Sequence, residues 1–175
     1  MKIGRNSYIA FDNLKELFPE SGELVIGNFC SIAEDVVVHL GGDHDPKLIS
    51  TFPFDHRLGW PVSNPTQISK GDVTIGNDVW IGKGTKIMGN VRISDGSVVA
   101  AYSVVSKDIG PYVIWAGNPA EFKRVRFNDR DTYDLLKIKW WNWPDEKIKE
   151  ASYLLTTNDI DGLYEYWEEN INGVL

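Results

Sequence analysis

An aliphatic side chain returns every six residues through the middle of the chain, at Ile75, Ile81, Ile87, Ile93, Val99 and Val105. Two places before each stands a small or β-branched residue, Val73, Val79, Thr85, Val91, Ser97 and Ser103, of the kind that fits a narrow interior. Gly76, Gly82 and Ala100 follow three of the aliphatics, where a residue without bulk is expected to let the backbone turn a corner. Three short strands in about eighteen residues complete one turn of a triangular coil with its aliphatics pointing inward. The pattern predicts an all-β solenoid, a left-handed parallel β-helix of hexapeptide repeats. An ordinary β-sandwich with fortuitous spacing is the competing fold, and six unbroken matches stand against it.

The theme occurs earlier at Ile26, Ile32 and Val38, with Cys30 and Val36 in the small inward places, and Ile3 and Ile9 mark the start of the coil. Asp12 to Gly22 reads as a non-repeating excursion. Residues 39–68 break the period and are rich in Gly, Pro, Asn and Asp, so they read as a long projecting loop. Its aromatics, Phe52, Phe54 and Trp60, argue for packing, and a long loop on a rigid scaffold is where chemistry is expected. After Ala116 the apolar spacing becomes helical, with Pro144 placed to start a helix and Asn158 to cap one. The organisation read from the sequence is a coil over 1–115 carrying the inserted loop 39–68, then a turn and a helical cap over 116–175. Two or three short helices are expected to close the end of the coil against edge pairing.

At 175 residues the chain fits one domain with a real core. Eighteen Lys and Arg against 25 Asp and Glu give a net charge of −7, which argues against nucleic acid and anionic lipid as partners. The first residues lack a signal-peptide apolar region and no run of about 18 apolar residues occurs, pointing to a cytoplasmic protein off the membrane. One cysteine, Cys30, excludes an internal disulfide. A polyanionic ligand would need a local basic patch, and Lys123, Arg124 and Arg126 supply one after a Gly-Asn-Pro turn, with Lys83 and Lys107 at coil corners to add to it. A solvated face is the plainer meaning of such a cluster.

Three histidines exist, at 39, 44 and 56, all in or at the start of the loop. His44, after the flexible pair Gly41-Gly42, is best placed to take a proton from an acceptor, because an imidazole titrates near neutrality. A surface loop histidine is the alternative. The spacing of His39 and His44 also suits zinc ligands, but His56, the one remaining histidine, lies on the same loop, so no third ligand comes from another coil. Cys30 falls on an inward position, where a thiol packs as a hydrophobe rather than acting as a nucleophile. Trp80 stands one place before an inward aliphatic and is expected to face outward, either packed under a neighbour or forming a wall for an acyl or acceptor group.

Longer stretches carry a family resemblance: GELVIGNFCSIAEDVVVHLGGDHDPKLISTFPF, GNDVWIGKGTKIMGNVRISDGSVVAAYSVVSKDI, AGNPAEFKRVRF and KIKWWNWP. Over nearly its full length the chain resembles the xenobiotic acetyltransferase group of the hexapeptide-repeat acyltransferases, which includes chloramphenicol and streptogramin O-acetyltransferases. The resemblance implies acetyl-CoA as co-substrate, no metal, a homotrimer with clefts between adjacent coils, and direct transfer in a ternary complex. It places the catalytic histidine at His44 and the acyl and acceptor site at Trp80, Phe52 and Phe54. It also implies that Ala101, Ser106 and Lys107 line the pantetheine path and that Arg124 approaches the donor phosphates, where Lys123 and Lys83 of the basic patch are expected to join it. Asp45-Pro46-Lys47-Leu48-Ile49 replaces the basic, Trp-containing stretch of antibiotic-modifying members, leaving both an antibiotic and a sugar open as acceptor, and both hydroxyl and amine as its nucleophile. A β-helical metalloenzyme of the carbonic anhydrase type and a non-catalytic assembly subunit are the other classes in play.

Overall fold

The computed structural model describes residues 1–172. Its body is a coil with three parallel sheets as faces. The first sheet stacks Lys2–Ile3, Leu24–Ile26, Val73–Ile75 and Val91–Ile93; the second stacks Tyr8–Ile9, Ser31–Ile32, Trp80–Ile81, Val98–Val99 and Val113–Ala116. Leu14–Leu17, Val36–His39, Lys86–Ile87 and Val104–Val105 form the third. Val91 lies beside Val73, Val98 beside Trp80 and Val104 beside Lys86. Corner partners such as Asn77 and Asp95 accordingly stand 18 residues apart, as the six-residue period requires.

The inward positions hold. Ile81, Ile87, Ile93, Val99 and Val105 are fully buried, as are Thr85, Ser97 and Ser103. Buried hydroxyls need partners, and corner carbonyls supply them: Thr85 donates to Gly82 at 2.7 Å, Ser97 to Gly110 at 2.6 Å and Ser103 to Ala100 at 2.7 Å. Cys30 is also fully buried, and desolvation pushes its thiol up to about 11, which suits a packing role.

The corners depart from the sequence reading. The turn is made two residues after the expected glycine place, where Asp78, Gly84, Asn90, Gly96 and Tyr102 all adopt left-handed backbone. Gly76 and Gly82 serve close approach between coils instead. A Cβ on Gly76 would stand 2.6 Å from the Asp95 carboxylate, and one on Gly82 would stand 2.8 Å from the Ala101 Cα.

The excursion expected over 12–22 is shorter than its range, because Leu14–Leu17 pairs with Val36–His39 and completes the third sheet of the first coil. Only the turn at Phe18–Gly22 leaves the coil. The long loop is an insertion at the corner joining the third and first sheets, and it separates partners in successive coils such as Glu34 and Lys83 by 49 residues. A two-stranded antiparallel ribbon, Asp43–His44 with Gln67–Ile68, forms its base, and α1 (Phe54–Leu58) lies beyond. Phe54 meets Phe52 edge-on at 5.0 Å and stacks on Trp60 at 5.7 Å, so the loop has its own aromatic packing.

After Ala116 the chain folds back as strand Glu121–Val125, antiparallel to Val113–Ala116, and Ala120 in the turn joins the coil core. Helices α2 (Asp129–Ile138), α3 (Asp145–Glu150), α4 (Ser152–Leu155) and α5 (Ile160–Asn170) follow. Asn128 caps α2 and Asp159, one residue beyond the expected Asn158, caps α5. The helices lie along a flank rather than on the end of the coil. Together with Arg126 and Phe127, which lead into them, they meet Arg5 of the first coil, Phe29 of the second, Asp78 of the third and Tyr112 near the last, all at the corner between the first and second sheets. The apolar faces of Trp141, Trp143, Leu163 and Trp167 are buried in that seam, packed with the left-handed corner residues Phe29 and Tyr112. No described helix is long and apolar enough to cross a membrane.

Candidate active site

His44 is held from two directions. Its backbone pairs with Gln67 in the ribbon, and its ring Nδ1 hydrogen-bonds the main-chain carbonyl of Thr51 on the limb that leads into α1. A carbonyl only accepts, so Nδ1 carries the proton and, in the neutral imidazole, Nε2 keeps its lone pair. The side chain is exposed, so that lone pair is available to a ligand. The limb bearing Thr51 is itself fixed: Ser50 Oγ accepts from Phe52 N at 3.1 Å, and Thr66 donates to Asp55 in α1. That hydroxyl is the main reason the Asp55 carboxyl is held below the ordinary carboxylate range.

The other histidines do not join His44. His39 ends a coil strand beside Leu17, and His56 sits in α1 with Nε2 3.8 Å from Asp55. Among the described residues no three His, Cys, Asp or Glu side chains converge as a metal site.

The donor-side candidates divide among faces and corners. Trp80 is 56% exposed and heads a row across the outside of the second sheet through Val98 and Ile114 to Arg124, each in register with the next. Lys123 and Arg124 are exposed on the returning strand. Ala101 and Lys83 share the corner between the second and third sheets, where Tyr102 N donates to the Lys83 carbonyl at 2.7 Å. Ser106 and Lys107 are exposed at the corner from which the loop emerges. The third sheet thus has Ala101 along one edge and Ser106, Lys107 and the His44 loop along the other.

Two cations of the expected basic field are already engaged. The Lys83 ammonium lies 2.8 Å from Glu34 and 3.8 Å from Asp35, and the Glu34 hydrogen bond raises its pKa. Arg126 is drawn into the helical seam, with Asp78 3.8 Å away, the Gly96 carbonyl accepting from it, and its guanidinium over the rings of Tyr112 and Phe127. The cationic cluster of the sequence is therefore divided, with Lys123 and Arg124 outside and Arg126 inside.

Loop and row face different ways in one chain. The loop leaves the corner between the third and first sheets, whereas Trp80 and Arg124 look out of the second sheet, across the coil from that corner. Sequence reasoning did not find the Thr51 partner, because a main-chain carbonyl carries no residue signature.

A three-faced parallel coil with a six-residue repeat and a histidine-bearing loop is the architecture of a hexapeptide-repeat protein, and residues 72–107 match the bacterial transferase hexapeptide family (six repeats). A chloramphenicol acetyltransferase of Morganella morganii is 38% identical over 97% of this chain and 88% of its own length. A probable macrolide acetyltransferase of Lysinibacillus sphaericus is 44% identical over 84% of this chain and 85% of its own. Among solved structures, a galactoside acetyltransferase in complex with coenzyme A superposes with a TM-score of 0.52 at 30% identity, over 82% of this chain and 64% of that one. The chain belongs to the xenobiotic acetyltransferase group of the hexapeptide-repeat acyltransferases.

Proposed function

We propose that the protein is an acetyl-CoA-dependent acetyltransferase that moves the acetyl group directly to a hydroxyl or amine of a small acceptor, an antibiotic or a sugar. The observation that carries the reading is the tie between His44 Nδ1 and the Thr51 carbonyl, which leaves Nε2 as the free base. Nε2 takes the acceptor proton as the acceptor oxygen or nitrogen attacks the acetyl carbonyl carbon, main-chain N–H groups steady the oxyanion, and as the carbon–sulfur bond breaks the imidazolium returns the proton to the CoA sulfur, which leaves as the thiol. Trp80 walls the acyl group, Phe52 and Phe54 face the acceptor, Ala101, Ser106 and Lys107 follow the pantetheine arm, and Lys123 and Arg124 receive the phosphates. The hexapeptide-repeat relatives support a left-handed coil and a donor of the CoA type.

The separation of the His44 loop from the Trp80 row supports a site completed by a second copy, hence a homotrimer with shared clefts. The single buried Cys30 suits a reducing cytoplasm. The test is thiol release from acetyl-CoA with chloramphenicol, macrolides, free sugars and nucleotide sugars as acceptors. At least one is expected to give release dependent on both substrates. Isothermal titration showing no acetyl-CoA binding would make the chain an assembly subunit instead.

A further inference from the structure

The turn Phe18–Gly22 closes the first coil at the same corner from which the His44 loop begins. Phe18 adopts left-handed backbone, uncommon for a bulky residue, with φ +58°. Its ring lies on Gly42, so closely that a Cβ there would overlap Phe18 Cε2 and Cζ. Gly42 is itself left-handed at φ +78°, so glycine is required there twice over, by conformation and by space. Beside it, a Cβ on Gly41 would stand 2.5 Å from Ser21 Cβ.

The same turn reaches the exit of the loop. Leu40 N donates to the Leu17 carbonyl at 3.0 Å, and Ser69 Oγ lies 2.8 Å from the Ser21 carbonyl and 2.7 Å from that of Leu40. Gly71 N donates back to Ser69 Oγ at 3.1 Å. Both limbs of the loop are therefore fastened to one turn of the first coil, two residues before His44. Beyond this fastening, among the described residues, His44 is held by Gln67 and Thr51, two other stretches of the loop, so its alignment with them follows the shape of the loop at its base.

We infer that Phe18 is a positioning residue for His44, its ring clamping Gly42 so that the loop presents the imidazole at a fixed height above the coil. The inference rests on His44 as the base, and it concerns a residue that touches neither substrate nor the reacting atoms. Misplacing a base by about an ångström costs up to about a hundredfold in rate while leaving donor binding alone.

The experiment compares wild type with Phe18→Ala and Phe18→Leu by ¹⁵N NMR of the histidine rings, assigned with His44→Ala, and by chloramphenicol acetylation. Phe18→Ala is expected to convert the His44 ring from the Nδ1–H form to a tautomer mixture, and to lower kcat about tenfold with KM for acetyl-CoA within twofold. Phe18→Leu, whose smaller side chain covers only part of Gly42, is expected to show both changes in smaller measure, so that wild-type values in it overturn the clamp if the Ala variant fails to fold. In a His44→Ala background, losing Phe18 should lower the residual rate no further. An unchanged tautomer and rate in Phe18→Ala overturns the clamp. Normal turnover in His44→Ala overturns the base instead, and the NMR comparison still judges the clamp where chloramphenicol is not accepted.

Discussion

Asp78 and Arg126 face each other 3.8 Å apart across the seam between coil and helices, beside a Tyr112 hydroxyl that has no hydrogen-bond partner among the described residues. Burial outweighs the guanidinium and, with Asp95 adding repulsion, pushes the Asp78 carboxyl up to about 6. A carboxyl raised in the folded state favours folding when protonated, so its contribution is complete below the unfolded value near 3.8 and is lost as pH rises through about 6. About 32% of the Asp78 side chain remains exposed, which limits the effect to roughly 1–2 kcal/mol. Relative to Asp78→Asn, wild type should gain thermal stability as pH falls from 7 to about 4. Parallel melting curves across that range would exclude a raised carboxyl.

The two kinds of glycine in the coil differ in what a methyl group costs. Gly82→Ala drives a Cβ into the Ala101 backbone of the next coil, where no side chain can move aside, and should destabilise by about 2–4 kcal/mol. Gly59, in the loop, is left-handed but open, with nothing within 4 Å of a Cβ, so alanine there should cost only about 1 kcal/mol. Urea midpoints of the two variants compare them directly. Equal losses would mean that backbone conformation and not inter-coil contact dominates.

The six-residue period made the coil legible because every inward position repeats one requirement, small or aliphatic and dry, that residue type alone expresses. The corners were less legible, since left-handed backbone is taken by residues as different as Asp78, Asn90 and Tyr102, and only Gly84 and Gly96 advertise it. Leu14–Leu17 escaped notice because it lies between turns of its own and shows only one strand of repeat. His44 and Trp80 could be picked out by residue chemistry and motif. Their surroundings could not, because the Thr51 carbonyl, the Glu34 partner of Lys83 and the inward Arg126 are fixed by packing between distant segments.

On the proposed mechanism, replacing His44 by Ala removes the Nε2 base and leaves the donor-binding residues in place. The kcat should fall roughly 10²–10⁴-fold while calorimetric affinity for acetyl-CoA stays near that of wild type. A parallel loss of donor affinity would mean that the loop has lost its shape as well as its base.

Lys83 and Arg124 give opposite expectations despite carrying the same charge. Arg124 is exposed and without an ion-pair partner among the described residues, so Arg124→Ala should raise KM for acetyl-CoA several-fold, and less for a 3′-dephospho donor. Lys83 already has Glu34 at 2.8 Å, so Lys83→Ala should change KM by less than about twofold. Reversal of the two would move the phosphate contact to the Lys83 corner.

The opposed directions of the loop and the Trp80 row lead to a test of shared sites. If the protein forms the proposed homotrimer and each cleft takes His44 from one chain and the donor wall from another, then His44→Ala subunits and subunits with a blocked donor path should complement each other. Ala101→Trp is a suitable block, because Ala101 is exposed at its corner and its backbone, not its side chain, packs on Gly82, so the indole points outward without disturbing the coil. Neither parent trimer should turn over. In a mixed trimer, an interface that joins the intact loop of one chain to the intact donor wall of its neighbour escapes both defects, so activity should appear on co-refolding. Mixed trimers demonstrated by native mass spectrometry that remain as inactive as both parents would place the whole site within one chain, and the loop would then have to reach around the coil to its own second sheet.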